Sequence, residues 1–223
     1  MRAAGLRRFA APLERTATGR AATTEQPQRC ELCAERLPDS HGHLVDLTDR
    51  AIGCACRACY LLFTSEGAGG GRYRAVPDRY RYLARLPISA AAWDRLGVPV
   101  GMAFFFHNST QQQVVAFYPS PAGATESQLD LAAWNEFAAA APEVTDLLPD
   151  VEALLVNRIR EPAQPARFEG YAVPVDACYR LVALVRMHWR GFDGGEQAWR
   201  AIREYLAELR DRSEPVVARQ RHG

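Results

Sequence analysis

The chain of 223 residues contains no lysine, so every basic side chain except histidine is an arginine. An all-arginine basic set reflects a GC-rich genome rather than a function. The chain also lacks a strong charge of either sign, because 27 basic and 26 acidic residues leave a formal net charge of +1. Such a balance gives no general electrostatic reason for binding a polyanion. We therefore do not expect a nucleic-acid partner.

Long apolar runs are missing as well. No run reaches the roughly 20 residues that cross a bilayer, because Pro, Arg or Gly interrupts each candidate. Residues 1–29 are rich in arginine and lack the continuous apolar centre of a secretory signal. We predict an N-terminal helix and flexible linker there, no membrane span, and a cytoplasmic location. In that reducing compartment, clustered cysteines hold metal more often than they form disulfides.

Familiar catalytic signatures are also absent. The chain has no GxSxG, HExxH or dinucleotide-binding pattern. Cys178 falls on one helical face with Val182 and Val185, which is typical of a core cysteine rather than a nucleophile. We expect a non-catalytic protein, with an enzymatic role left open.

What the chain does have is a dense group of cysteines. Cys30 and Cys33 form one CxxC pair and Cys56 and Cys59 another, with 22 residues between the pairs. Two such pairs typically direct four thiolates at one tetrahedral metal ion. We predict that these four residues bind Zn²⁺, with Fe as the alternative metal. Rubredoxin-type iron sites carry Gly and Pro after their cysteines, whereas "CAE" and "CYL" follow here, which favours zinc.

The choice of ligands leaves alternatives open. Cys54 stands two residues before Cys56, so both side chains share one face of an extended strand. Cys54 is therefore an alternative ligand. His41 and His43, in the segment "SHGH" between the two pairs, are further alternative ligands or simply exposed polar residues.

The remaining sequence predicts an α+β fold in two parts. A small zinc-ribbon or rubredoxin-like metal-binding module at 30–63 is followed by a Gly-rich linker at 64–71, "TSEGAGGGR" marking the boundary. An α+β domain at 72–212 and a disordered tail at 213–223 complete the chain.

Several elements of the second part have local signals. "SAAAWDRLG" predicts a helix that begins at Ser89 and ends at Gly97. "VPVGMAFFFH" and "QQVVAFYP" around "NSTQ" predict a β-hairpin, and "EALLVNRI" and "RFEGYAVP" predict two more strands. A helix capped by Thr125 or Ser127 and a C-terminal helix pair complete the pattern.

The connection between the last two helices is a candidate partner-binding surface. "RMHWRGFDGGEQAW" concentrates Trp and Arg, the residues most enriched at interface hot spots. We predict that Trp199 is buried and that Arg190 and Phe192 are exposed and contact a protein partner.

Two other functions remain as alternatives. "RYRAVPDRYRYLAR" interleaves arginine with tyrosine, which beside a zinc ribbon is typical of a nucleic-acid-binding regulator. Three closely spaced thiols, Cys54, Cys56 and Cys59, are also compatible with a thiol redox protein.

The combination of motifs resembles a known family. The segments that carry the likeness are "CELC", "CACRACYLLF", "GGGRYRAVPDR", "GVPVGMAFFF", "FYPSPAGATES", "DACYRLVALVRMHWRGFDGG" and "EQAW". Together they resemble an uncharacterised family of high-GC bacteria encoded beside uptake nickel–iron (NiFe) hydrogenases. The resemblance implies an accessory or maturation role, with hydrogenase subunits or maturation factors as partners. The cysteine module is also similar to rubredoxin-like accessory proteins of hydrogenase clusters.

Overall fold

The computed structural model describes residues 28–65 and 67–216. Residues 1–27 of the predicted N-terminal helix and linker, and residues 217–223 of the predicted tail, lie outside this part of the chain. No helix within the described ranges combines the length and the apolar character that a bilayer crossing requires.

The cysteine-rich region forms a small antiparallel sheet. Strand β1 (Gly42–Asp46) lies between β2 (Ala51–Ala55) and β3 (Tyr73–Ala75), and a one-and-a-half-turn helix, α1 (Arg57–Leu62), follows β2. Because β3 comes after the Gly-rich segment, this sheet uses residues from both sides of the predicted linker. The predicted domain boundaries themselves stay predictions.

A seven-stranded sheet organises the rest of the chain. Its strands are β4 (Arg81–Leu83), β5 (Met102–Asn108), β6 (Gln113–Ser120), β7 (Gly123–Ser127), β8 (Glu152–Ile159), β9 (Arg167–Pro174) and β10 (Glu214–Pro215). The spatial order is β10-β4-β9-β8-β5-β6-β7, and all neighbours are antiparallel except β10 and β4. The predicted β5–β6 hairpin is thereby confirmed.

Helices cover both faces of this sheet. They are α2 (Ala90–Arg95), α3 (Leu131–Ala140), α4 (Val175–His188) and α5 (Gly195–Arg212). Side chains of a strand alternate between faces, and in β8 Leu154 packs into the core that contains α2 and α3 residues, whereas Leu155 packs into the core under α4 and α5. Val45 and Val76 from the small-sheet region join this second core. The α+β class and the C-terminal helix pair are confirmed.

Local signals located α2 correctly but not the start of α3. Ser89 caps α2 by accepting a hydrogen bond from the amide of Ala92 (3.1 Å), and Gly97 follows the helix with φ of 79°. The predicted caps of α3, Thr125 and Ser127, lie instead in β7, which pairs with β6. Asp130 caps α3, so the pairing of a neighbouring strand decided where the helix begins.

Two fully buried glutamates tie outlying segments to the sheet. Glu152 (1% exposed) binds the guanidinium of Arg79, with Nε to Oε1 at 2.7 Å. Glu169 (2% exposed) accepts hydrogen bonds from Tyr82 and Asn157 at 2.9 Å and from Arg210 at 2.7 Å. A buried carboxylate requires such partners, because leaving its charge unpaired inside the protein is costly.

Candidate metal centre

The first cysteine pair lies in a tight turn. The amide of Ala34 donates to the carbonyl of Cys30 at 2.8 Å, and the amide of Cys30 donates to the carbonyl of Glu35 at 2.8 Å. Ala34 has φ of 62°, in the left-handed region that glycine usually occupies. The absence of a glycine after Cys33 therefore does not prevent this turn, which forms with alanine in the strained position.

The second pair opens helix α1. Cys56 is the N-cap residue, and its Sγ accepts a hydrogen bond from the amide of Cys59 at 3.5 Å. The positive end of the helix dipole faces this turn, which favours negatively charged sulfur. The CxxC spacing thus places Cys56 and Cys59 on one side of the helix start.

The structure brings both pairs together. One ligand atom from each of Cys30, Cys33, Cys56 and Cys59 lies within 4.8 Å of the other three, and Cys33 Sγ is 3.6 Å from Cys56 Sγ. A tetrahedral ion with metal–sulfur bonds of about 2.3 Å would hold its sulfurs about 3.8 Å apart. Four cysteines of this arrangement can therefore hold a metal ion with little movement.

Backbone hydrogen bonds favour the thiolate form of one of the four cysteines, Cys30. Burial opposes ionisation of Cys30, but amide hydrogen bonds from Cys56, Cys33 and Leu32 outweigh it and lower the pKa of Cys30 from 9.0 to about 6. Burial, followed by hydrogen bonding to the other three thiols, raises the pKa of Cys59 to about 12. A cation at the centre would remove the remaining thiol protons, since metal binding to cysteine requires the thiolate. The donor set and these amide hydrogen bonds fit a thiophilic cation such as zinc.

The three alternative ligands form a group of their own. Cys54 is the direct cross-strand neighbour of His43, and His41 lies in the segment just before β1. One ring nitrogen of each histidine and the sulfur of Cys54 lie within 4.8 Å of one another. Burial raises the pKa of Cys54, and a hydrogen bond to Asp176 raises the pKa of His43.

Two residues near these groups were missed by the sequence analysis. The carboxylate of Glu31 accepts from the amide of Cys54 at 2.9 Å, and Asp176 binds His43 Nδ1 at 2.7 Å. Asp176 is far in sequence from the four clustered cysteines and lies in the first turn of helix α4. Only the docking of α4 beside β1 brings it to His43, so no local pattern could have identified it.

Both groups border one cleft of about 1470 Å³ between the small sheet and the C-terminal helix pair. Its lining includes Cys33, Cys56, His41 and His43 on one wall and Arg180 and Tyr205 on the other. The cleft gives solvent and solutes a route to the cysteines and histidines.

The predicted partner-binding residues lie at the far end of the helix pair. Phe192 is fully exposed and Arg190 is also exposed. Burial of Trp199 was a wrong prediction, because its side chain is 44% exposed, packs on Trp189 and donates to the carbonyl of Asp193 at 2.8 Å. The buried face of α5 consists of Ala198, Ile202, Tyr205, Leu206 and Leu209.

Most arginines of the Arg-Tyr segment already face carboxylates of the same chain. Arg72 binds Asp46 (2.6 Å), Arg74 binds Asp150 (2.9 Å), and Arg81 binds Asp146 (3.0 Å) in addition to the Arg79–Glu152 pair. The positive charges of these arginines are therefore paired with carboxylates of the same chain.

Comparison with known proteins gives a family but no characterised relative. No curated protein and no solved structure shows a significant match. The model of a family of unknown function, DUF5947, matches residues 29–213 and so spans both cysteine pairs, the helix pair and all strands of the seven-stranded sheet except β10. The chain therefore belongs to the DUF5947 family of unknown function.

Proposed function

We propose that the chain is a non-catalytic accessory protein that holds Zn²⁺ with Cys30, Cys33, Cys56 and Cys59 and acts through protein contacts. The observation that carries this proposal is the convergence of the four cysteines within 4.8 Å. Bound zinc would cross-link the Cys30–Cys33 turn to the start of α1, and a closed four-sulfur site of this kind serves folding rather than chemistry.

The partner we propose is a nickel–iron hydrogenase, or one of its maturation factors, in the cytoplasm. This part of the proposal rests on the sequence resemblance, which covers the cysteine pairs and the helix-pair connection. The exposed Phe192 supports it physically, because a fully exposed aromatic side chain beside an arginine has the composition of an interface hot spot.

Neither alternative function gains comparable support. Four of the five arginines between residues 72 and 85 pair with carboxylates, which leaves little charge for phosphates. A thiol redox role would require the cysteines to remain metal-free. Metal analysis of the purified protein therefore distinguishes this role from the proposed zinc site. Iron in place of zinc would make the same four-thiolate site a redox centre.

The partner proposal is tested by co-purification with hydrogenase subunits and maturation factors. We expect the Arg190→Ala/Phe192→Ala double variant to fold normally and to bind about 5- to 30-fold more weakly, the equivalent of about 1–2 kcal/mol at a hot spot. Leu62→Ala removes another exposed apolar side chain, 65% exposed on α1, and serves as the matched control. A folded double variant that recovers these partners at the wild-type level would contradict the assigned surface, and a wild-type chain that binds none of them would contradict the partner.

A further inference from the structure

The five clustered cysteines are one too many for a four-ligand site, and the fifth has partners of a different kind. Cys54 lies on β2 opposite His43 on β1, with His41 two residues earlier. One ligand atom from each residue lies within 4.8 Å of the others, a distance that a single cation can span. Cys54 is not among the four cysteines that converge on each other.

The hydrogen bonds of His41 leave one nitrogen ready to coordinate. Its Nδ1 lies 2.9 Å from the carbonyl oxygen of Pro38, and since a carbonyl can only accept, Nδ1 carries the proton. In the neutral ring, Nε2 then bears the lone pair. This Nε2 is buried and has no hydrogen-bond partner, which is unfavourable unless another group satisfies it.

His43 is oriented in the same way by a carboxylate. Its Nδ1 lies 2.7 Å from Asp176 Oδ2, so Nδ1 donates and Nε2 is again the nitrogen left for a ligand. Metal-binding histidines commonly donate their other ring N–H to a carboxylate or a backbone carbonyl, which fixes the ring and its tautomer. His41 and His43 show one case of each. Asp176 Oδ1 is itself buried without a hydrogen-bond partner, so a cation beyond His43 would also balance its charge.

We infer that His41, His43 and Cys54 form a second cation site, separate from the four-cysteine group, for a borderline transition-metal ion of the Zn²⁺ class. Two imidazoles and one thiolate are the donors that such ions prefer over Ca²⁺ or Mg²⁺. With three protein ligands the tetrahedral shell keeps one open position. Both histidines border the cleft between the small sheet and the helix pair, so this position is within reach of a water molecule or a solute.

The inference does not depend on the proposed function, and the test separates the two sites by counting metal in the full-length chain. Protein stripped of metal under reducing, oxygen-free conditions is equilibrated with Zn²⁺, freed of excess metal and analysed for zinc. We expect two zinc ions per wild-type chain and one in Cys54→Ser and His43→Ala. His188→Ala, which removes a histidine outside both groups, is the matched control and keeps two. Circular dichroism checks that each variant is folded.

A milder variant covers the case in which a ligand variant fails to fold. Asp176→Asn removes the charge that orients His43, and we expect it to weaken the second zinc ion by about 10- to 100-fold, as is usual for the loss of such a partner. Titration with Co²⁺ shows which of the two sites has lost metal affinity, because strong thiolate-to-cobalt absorption is expected mainly from the four-cysteine group. Zinc content in folded Cys54→Ser and His43→Ala that equals the wild-type value would overturn the inference, whatever amount of zinc the four-cysteine group holds.

Discussion

One alanine follows the first cysteine pair and another lies within the second, and the same substitution at these two positions has opposite expected effects. Ala34 has φ of 62°, whereas Ala58 lies in helix α1, and both side chains are exposed. A non-glycine residue in the left-handed region costs about 1–2 kcal/mol, while glycine costs about 0.5–1 kcal/mol more chain entropy than alanine. We therefore expect Ala34→Gly to stabilise the fold by about 0.5–1 kcal/mol and Ala58→Gly to destabilise it by a similar amount.

Hydrogen exchange of the β1 and β2 amides is the appropriate assay, because all four tryptophans, at 93, 134, 189 and 199, lie outside this sheet. At equal metal content, protection should rise about 2- to 5-fold in Ala34→Gly and fall by a similar factor in Ala58→Gly. If Ala34→Gly lowers protection, or if both variants shift it in the same direction, the description of the first turn is wrong.

Three further predictions concern the rest of the fold. Arg210→Met should destabilise the chain by about 1–3 kcal/mol in urea unfolding, because the buried Glu169 loses its counter-charge. The cost stays in this range because the Arg210 side chain is 48% exposed and Glu169 keeps its hydrogen bonds from Tyr82 and Asn157. No measurable loss of stability would contradict this prediction. The hydrogen bond from Arg72 lowers the pKa of Asp46 from 3.8 to about 2, so its stabilising contribution should be complete above pH 4 and lost as the pH falls towards 2. Asp46→Asn should flatten that part of the stability profile, and an unchanged profile would refute it. Cys178, with no exposed surface, should resist thiol reagents until the chain unfolds, and rapid labelling of folded protein would count against its position.

Elements with strong local patterns were predictable from the sequence. The apolar runs of β5, β6, β8 and β9 have lengths and flanking turns that indicate strands, and α4 and α5 have clear helical periodicity. The start of α3 was not predictable, because Thr125 and Ser127 are good caps locally but pair with β6 in the folded chain. The exposure of Trp199 was missed because the periodicity of α5 places it beside the apolar stripe without showing where the neighbouring helix ends.

The candidate site, like the fold, was predictable from the sequence only in part. The CxxC spacing predicted which four cysteines converge, because the two cysteines of each pair are only three positions apart and form a local turn that directs both thiols to one side. The grouping of Cys54 with His41 and His43 depends on the β1–β2 register, and the contact of His43 with Asp176 depends on how α4 docks. Both contacts join residues that are far apart in the chain. Cys54, His41 and His43 were therefore recognisable from the sequence as candidate ligands, but the sequence could not show that they form a separate group.

Elemental analysis combined with an absorption spectrum of protein purified without oxygen tests the central claim most directly. We expect tightly bound zinc, no visible absorption bands, and loss in Cys33→Ser of the zinc ion that the four-cysteine group holds. Visible iron–thiolate bands would support the four-cysteine site but contradict the choice of metal. Metal-free protein with Cys30, Cys33, Cys56 and Cys59 all titrating as free thiols would contradict the account itself.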